Sequence, residues 1–345
     1  MIAFLRKISS RAMDLPFACA VLTACLLEAG INSAPAELQL DAVIQVGGFP
    51  QSMAFTPDGN YLYVTNIGNG KVSVIDTSVN QVSATITPSA GSGAGLASVA
   101  VTPDGSTVFV LGLGIATIDV ISTSTNTVTK TISAGPSYGS GLAVTPDGTW
   151  LYVANSSGTV SIINVASGNI VKTLTVGIRT NTIAITPDGL SAYVDAVGNG
   201  TEYLTKIDLA SQTIVASQLG AGQFGTGGYT MLAFSPDSQT VYIPGADVLA
   251  LNASTGQLEN TFVVSGYSEV FGVQVSPDGR FLYVAAFDAH AIVTIDTGTG
   301  QRVATTHLGR KKKPFSVVIS PDGTYLCVSS YPAGGGRGAV SILGR

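Results

Sequence analysis

Carboxylates are the groups most regularly placed to do chemistry in this sequence. Seven recur inside one four-residue turn: Thr56-Pro57-Asp58-Gly59, then Thr102 to Gly105, Thr145 to Gly148, Thr186 to Gly189, Ser235 to Ser238, Ser276 to Gly279 and Ser320 to Gly323. A calcium ion would need about six to eight oxygens converging on one point. Asp58, Asp104, Asp147, Asp188, Asp237, Asp278 and Asp322 instead sit one per repeat, on seven separate hairpins, so they are expected to fasten turns and not to hold a metal. In such a turn proline pre-sets φ, aspartate bonds nearby backbone and glycine accepts a positive φ. Ser238 replaces the glycine in the fifth copy, where a left-handed serine costs about 1 kcal/mol.

The remaining reactive side chains are sparse. His290 and His307 have no partner at metal-ligand spacing and no nearby serine in a Gly-x-Ser-x-Gly elbow, and no Cys-x-x-Cys-His motif occurs. His290 stands beside Asp288, as an acid–base pair would, or as two solvated loop residues would. Cys19 and Cys25 fall in the N-terminal leader, which leaves Cys327 inside a strand at the position of Tyr63, a place for a buried structural thiol. The glycine runs Gly220 to Gly228 and Gly334 to Gly338 lack the Gly-Lys-Ser/Thr ending of a phosphate loop. These observations assign no catalytic residue, metal or cofactor. Charge is asymmetric, however: Arg280, Arg302, Arg310, Lys311, Lys312, Lys313, Arg337 and Arg345 all follow residue 279. The run Arg310 to Lys313 makes a basic wedge suited to a phosphate, a carboxylate or an anionic polymer, or simply a solvated loop.

The elements that must position these groups follow from the repeat. Successive turn prolines stand 46, 43, 41, 49, 41 and 44 residues apart, the spacing of a propeller blade. Each repeat holds four short β-rich runs, here called strands a to d, as in Ser52 to Phe55, Tyr61 to Asn66, Lys71 to Asp76 and Gln81 to Thr87. The Pro-Asp-Gly turn closes the a–b hairpin, and turns such as Asp76 to Asn80 close c–d with a residue tolerant of positive φ at the end. The d–a and b–c loops therefore emerge together on the other face, where function is expected. Candidate ligand contacts on that face are Arg179, Glu269, Asp288, His290, Arg310, Lys311, Lys312 and Lys313, with Asn66, Asn69, Asn155, Tyr229 and Tyr267 as further loop positions.

The two ends complete one another. The seventh repeat stops at Arg345 after a strand c, while residues 42–47, Ala-Val-Ile-Gln-Val-Gly, have strand d character without a blade of their own. An all-β, seven-bladed propeller of four-stranded antiparallel blades is expected, its N-terminal strand closing the last blade and leaving few exposed edges. Residues 1–36 have the basic start, apolar centre and Ala34-Pro35-Ala36 site of an export signal, which leaves residues 37–345 as one domain. Leu22-Thr23-Ala24-Cys25 offers the competing reading of a lipid anchor at Cys25. A periplasmic, extracellular or cell-surface location follows, with no membrane span in the mature chain. Three basic and two acidic residues belong to the leader, so 16 and 21 become 13 and 19, a net charge of −6 that argues against bulk nucleic-acid binding.

Tyr63-Val64-Thr65-Asn66, its near copy Tyr152-Val153-Ala154-Asn155, the drifted Tyr193-Val194, Tyr242-Ile243 and Tyr283-Val284, and Val74-Ile75-Asp76-Thr77 in strand c together resemble the YVTN family of β-propeller repeats, over residues 41–345. The resemblance implies the propeller and leaves function open, since this fold hosts unrelated roles. The reading adopted is a monomeric binding or scaffold module whose partner is a protein, a glycan or a small anionic ligand. The alternative is an enzyme of the lactonase or quinoprotein kind, with a site at the central channel. Two ionisable side chains converging at the channel mouth would favour the enzyme; a mouth of Gly, Ser, Thr and Val would favour the binder.

Overall fold

A computed structural model describes residues 38–89, 95–112, 114–222, 231–264, 269–332 and 336–345. The leader, Tyr229 and Tyr267 lie outside the described residues. Seven four-stranded antiparallel sheets form the ring. In the first, β2 (Pro50–Phe55), β3 (Tyr61–Asn66), β4 (Lys71–Asp76) and β5 (Gln81–Ile86) are strands a, b, c and d in spatial order. In the seventh, β26 (Lys312–Ile319), β27 (Tyr325–Pro332) and β28 (Gly338–Gly344) are completed by β1 (Gln39–Gly47), which pairs antiparallel with β28 from Gln39↔Gly344 to Gly47↔Gly338. The expected closure by the N-terminal strand is therefore present, three residues longer than the sequence pattern indicated.

The core lies between blades. Each apolar cluster joins neighbours: Met53, Leu62 and Val64 of the first blade meet Cys327 and Ile342 of the seventh, and Tyr63, Val72 and Val74 meet Val99, Val108 and Val110 of the second. Strands b and c are consequently buried on both faces, every residue from Leu62 to Asn66 in β3 and from Val72 to Ile75 in β4 lying in the interior. This accounts for the apolar composition without a membrane. Among the described residues no helix is long and apolar enough to cross a bilayer. Cys327 sits in this interior, its thiol pushed up to about 12 by burial.

The recurring motif residues hold the ring together at the Pro-Asp-Gly face. Asp58 Oδ1 accepts from Thr56 Oγ1 at 2.5 Å and from the Asn60 amide at 3.0 Å, while the Gly59 amide donates to the Thr56 carbonyl at 2.8 Å. These turns also interlock between blades: a Cβ on Gly189 would meet Pro146 of the preceding blade at 3.0 Å. Ser238 has φ of 61°, as expected, and its hydroxyl accepts from the Asp188 amide of the neighbouring blade at 3.1 Å. The Thr of the Val-Ile-Asp-Thr run, Thr77, donates to the Gly59 carbonyl at 2.7 Å and ties the c–d turn to the a–b turn. The motif tyrosine crosses the interface, with Tyr63 Oη donating to Asn126 Oδ1 of the second blade at 2.7 Å.

Candidate functional site at the loop-face mouth of the channel

The channel wall is built from strands a. Three successive rungs of these strands enclose a cavity of about 260 Å³, to which all seven blades contribute. Its upper rung is uneven: Gln51, Ala97, Ser140 and Asn181 line it on the first four blades, and Phe315 on the seventh. Gln51 is buried, and its side-chain oxygen has no hydrogen-bond partner among the described residues.

Behind Asn181 lies a pair of carboxyl groups. In the fourth blade β15 (Ser191–Gly198) and β16 (Thr201–Asp208) each run eight residues, against six for β3 and β4. Asn199 and Gly200 link them with φ of 53° and 75°, the two positive angles a tight primed hairpin turn requires. The lengthened hairpin carries Glu202 opposite Val197, on the same side as Asp195. Asn181 Nδ2 donates to Glu202 Oε1 at 2.6 Å and to Asp195 Oδ2 at 3.1 Å. Asn181, Asp195 and Glu202 are 9%, 2% and 1% exposed. Burial, then the charge of Asp195 and a carboxyl–carboxyl hydrogen bond, raise Glu202 from the ordinary 4.5 to about 7; the Asn181 amide and the charge of Arg179 oppose the rise. Two buried carboxylates in contact cannot both ionise cheaply, so the pair keeps a proton into the neutral range.

The candidates read from the sequence fall into two groups. Arg179, the first residue of β14 (Arg179–Ile185), acts on Glu202 through its charge. The others gather across the sixth and seventh blades. His290 Nδ1 is 3.0 Å from the Lys312 carbonyl oxygen, Lys313 Nζ is 3.7 Å from Asp288 Oδ1, and Glu269 accepts from the Phe287 amide through its carbonyl. Arg310 and Lys311 are exposed, and burial lowers the Lys312 ammonium from its ordinary value. Asp288 is thus an ion-pair partner of Lys313, and the contact found for the His290 ring is a backbone carbonyl. Asn66 and Asn155 are fully buried and brace strand c, donating to Ser73 Oγ at 3.1 Å and Ser161 Oγ at 2.9 Å; neither is a loop contact. Asn69 caps its own turn, accepting from the Lys71 amide at 3.1 Å.

Sequence reasoning missed Asn181, Asp195 and Glu202. Their signal was an acidic residue in strand b where other blades have Thr65, Ala154, Ala285 and Ser329, next to the Asn199-Gly200 turn. Also unforeseen is an aromatic cluster on the loop face, with Phe49, Phe271, Phe287, Phe315 and Tyr331 in ring contact.

Comparison with known proteins agrees with this architecture. Residues 33–185, less than half of the chain, match the family "Lactonase, 7-bladed beta-propeller". This is a seven-bladed β-propeller. Among solved structures it is similar to Kuenenia stuttgartiensis hydrazine synthase, with a TM-score of 0.71 and 18% identity over 91% of this chain and 99% of that one. At that identity the likeness concerns the fold alone. No curated protein matches the sequence.

Proposed function

We propose that the protein is an exported propeller that binds a small, hydroxyl-rich molecule in the channel mouth on the loop face. The observation that carries this reading is a cavity of about 260 Å³ to which all seven blades contribute, whose upper rung sets Gln51, Ser140 and Asn181 against Phe315. Ser140 and Asn181 add donors and acceptors on the same rung and Ser98 on the next, and Phe315 supplies an apolar wall. Such a mixture suits a neutral polyol or sugar-like ring better than a strongly charged ligand. Export is supported by the leader pattern of residues 1–36. Isothermal titration with monosaccharides and aldonolactones tests the site: binding that weakens at least tenfold in Gln51→Leu supports it, and unchanged binding in that variant removes it.

A second reading, hydrolysis of a lactone, is favoured by Glu202 and by the lactonase-family match of residues 33–185. A carboxyl raised to about 7 changes charge where a general base is useful. It stands one side chain behind the wall, so Asn181 would have to swing aside to admit a water. Titrating released acid against a panel of aldonolactones separates the readings. Turnover abolished by Glu202→Gln with binding retained makes it an enzyme, and binding without turnover leaves a binding module.

A further inference from the structure

The repeat provides its own controls, because equivalent positions of the seven blades can be compared. Six residues before the turn proline stand Gln51, Ala97, Ser140, Asn181 and Thr230 in blades one to five, but Phe271 and Phe315 in blades six and seven. Ten residues after the proline stand Ile67, Leu113, Ser156, Val197 and Ala246, but Phe287 and Tyr331 in the same two blades. Five blades therefore close without a ring at either position, so the blade itself does not require these aromatics.

The four rings lie together on the loop face and are joined there by Phe49, which is 43% exposed. Neighbouring centroids along Phe49, Tyr331, Phe315, Phe271 and Phe287 are 5.3, 4.8, 5.1 and 5.0 Å apart. Phe315 and Tyr331 stack on one another at 12°, Phe49 meets Tyr331 at 75° and Phe271 meets Phe287 at 78°. Faces are thus largely used inside the cluster, and Lys313 Nζ stands 4.5 Å over the Phe287 ring. Ring edges carry the positive end of the quadrupole, so a cluster packed this way favours electron-rich oxygens at its rim. The same rim carries the basic run: Arg310 and Lys311 are exposed, and Lys313 shares its charge with Asp288. Glu269 and Asp288 subtract two charges at the sixth-blade end, leaving an excess of cations at the seventh.

We propose that this ledge, from Phe49 across blades seven and six, is a docking site for an acidic polysaccharide bearing carboxylates along its length. Phe315 is buried beneath the others, so the rim is formed by the edges of exposed Phe49 and half-buried Tyr331, Phe271 and Phe287. Such a row suits a chain more than a point anion, and its ring edges and flanking cations match sugar rings that carry hydroxyl and acid oxygens. A single-stranded nucleic acid would instead require free ring faces spaced for base stacking, whereas Phe315 and Tyr331 already stack on one another and Lys313 covers the Phe287 ring.

The test uses the mature protein with polygalacturonate as probe, and with dextran, poly-L-glutamate and oligo-dT as comparisons, by titration at low and moderate salt. Polygalacturonate should bind at least tenfold more tightly than each comparison and lose affinity as salt rises. Phe49→Ala and the double substitution Arg310→Gln, Lys311→Gln should each weaken it at least tenfold at an unchanged melting temperature. These are exposed side chains outside the channel wall, so the small-ligand site should be unaffected. No binding, variants that bind normally, or equal binding of dextran would overturn the proposal. Equal binding of poly-L-glutamate would do so in favour of an acidic peptide, and equal binding of oligo-dT in favour of a nucleic acid.

Discussion

The carboxylates at the two ends of the channel behave in opposite ways. On the Pro-Asp-Gly face Asp58, Asp104 and Asp147 are held ionised. Hydrogen bonds from Thr56 and Asn60 lower Asp58, those from Thr102 and Ser106 lower Asp104, and those from Thr145 and Thr149 lower Asp147. On the loop face Glu202, buried against Asp195, is raised to about 7. The first arrangement surrounds each carboxylate with donors and leaves it near water; the second buries two carboxyls against one carboxamide. The same chemical group is thus a fastener at one end and a titrating element at the other, and environment decides which.

Ring closure should underlie both. Deleting residues 39–47 strips β1 from β28 and exposes the edge of a blade whose Val340 and Ile342 are buried. The loss is expected to exceed a typical domain stability of about 5–15 kcal/mol. A deletion variant with an unchanged thermal melt would show that the faces do not depend on the latch.

The next largest effect is expected from Asn181→Leu, which takes the donor away from two buried carboxyls and should cost about 2–4 kcal/mol. Chemical denaturation at pH 8 and pH 5 checks this, with the larger loss at pH 8, where the pair is most ionised. Glu202→Gln sharpens the contrast in sign. The raised Glu202 takes up a proton in the folded state that the unfolded chain has lost. Its stabilisation is therefore complete below about pH 4.5 and is lost as pH rises through about 7. The full swing is on the order of 3 kcal/mol. The glutamine variant should flatten that slope and melt above the native protein at pH 8; a slope that survives the substitution would place the titration elsewhere.

Asp58 and Asp104 carry the reverse dependence, contributing above the ordinary carboxylate range and losing their contribution as pH falls below it. Asp58→Ala should cost about 1 kcal/mol at pH 7 and much less at pH 3, measured by urea unfolding. The smallest effect is expected at Ser238→Gly. Relief of a left-handed serine, about 1 kcal/mol, is offset by the lost bond to the Asp188 amide, about 1 kcal/mol. A net change beyond about 1 kcal/mol either way would mean that one of these contributions is misjudged.

What could be read along the chain is what depends on close neighbours. The partners of Asp58 lie two residues away, and Gly59 bonds back to Thr56, so each turn is written whole in a few letters and repeats visibly. The blade count, the faces and the closing strand followed from those turns, and the buried Cys327 followed from its place in strand b. The missed features join distant positions. Asn181 meets Asp195 and Glu202 across 14 and 21 residues, through a register set by a lengthened hairpin, and Phe49 meets Tyr331 across the joint where the ring closes. The sequence by itself determined the blades, because backbone turns and alternating burial are local or periodic. Only the tertiary structure decided which carboxyls lose their water and which rings share a rim, because desolvation and ring contact depend on what packing brings together.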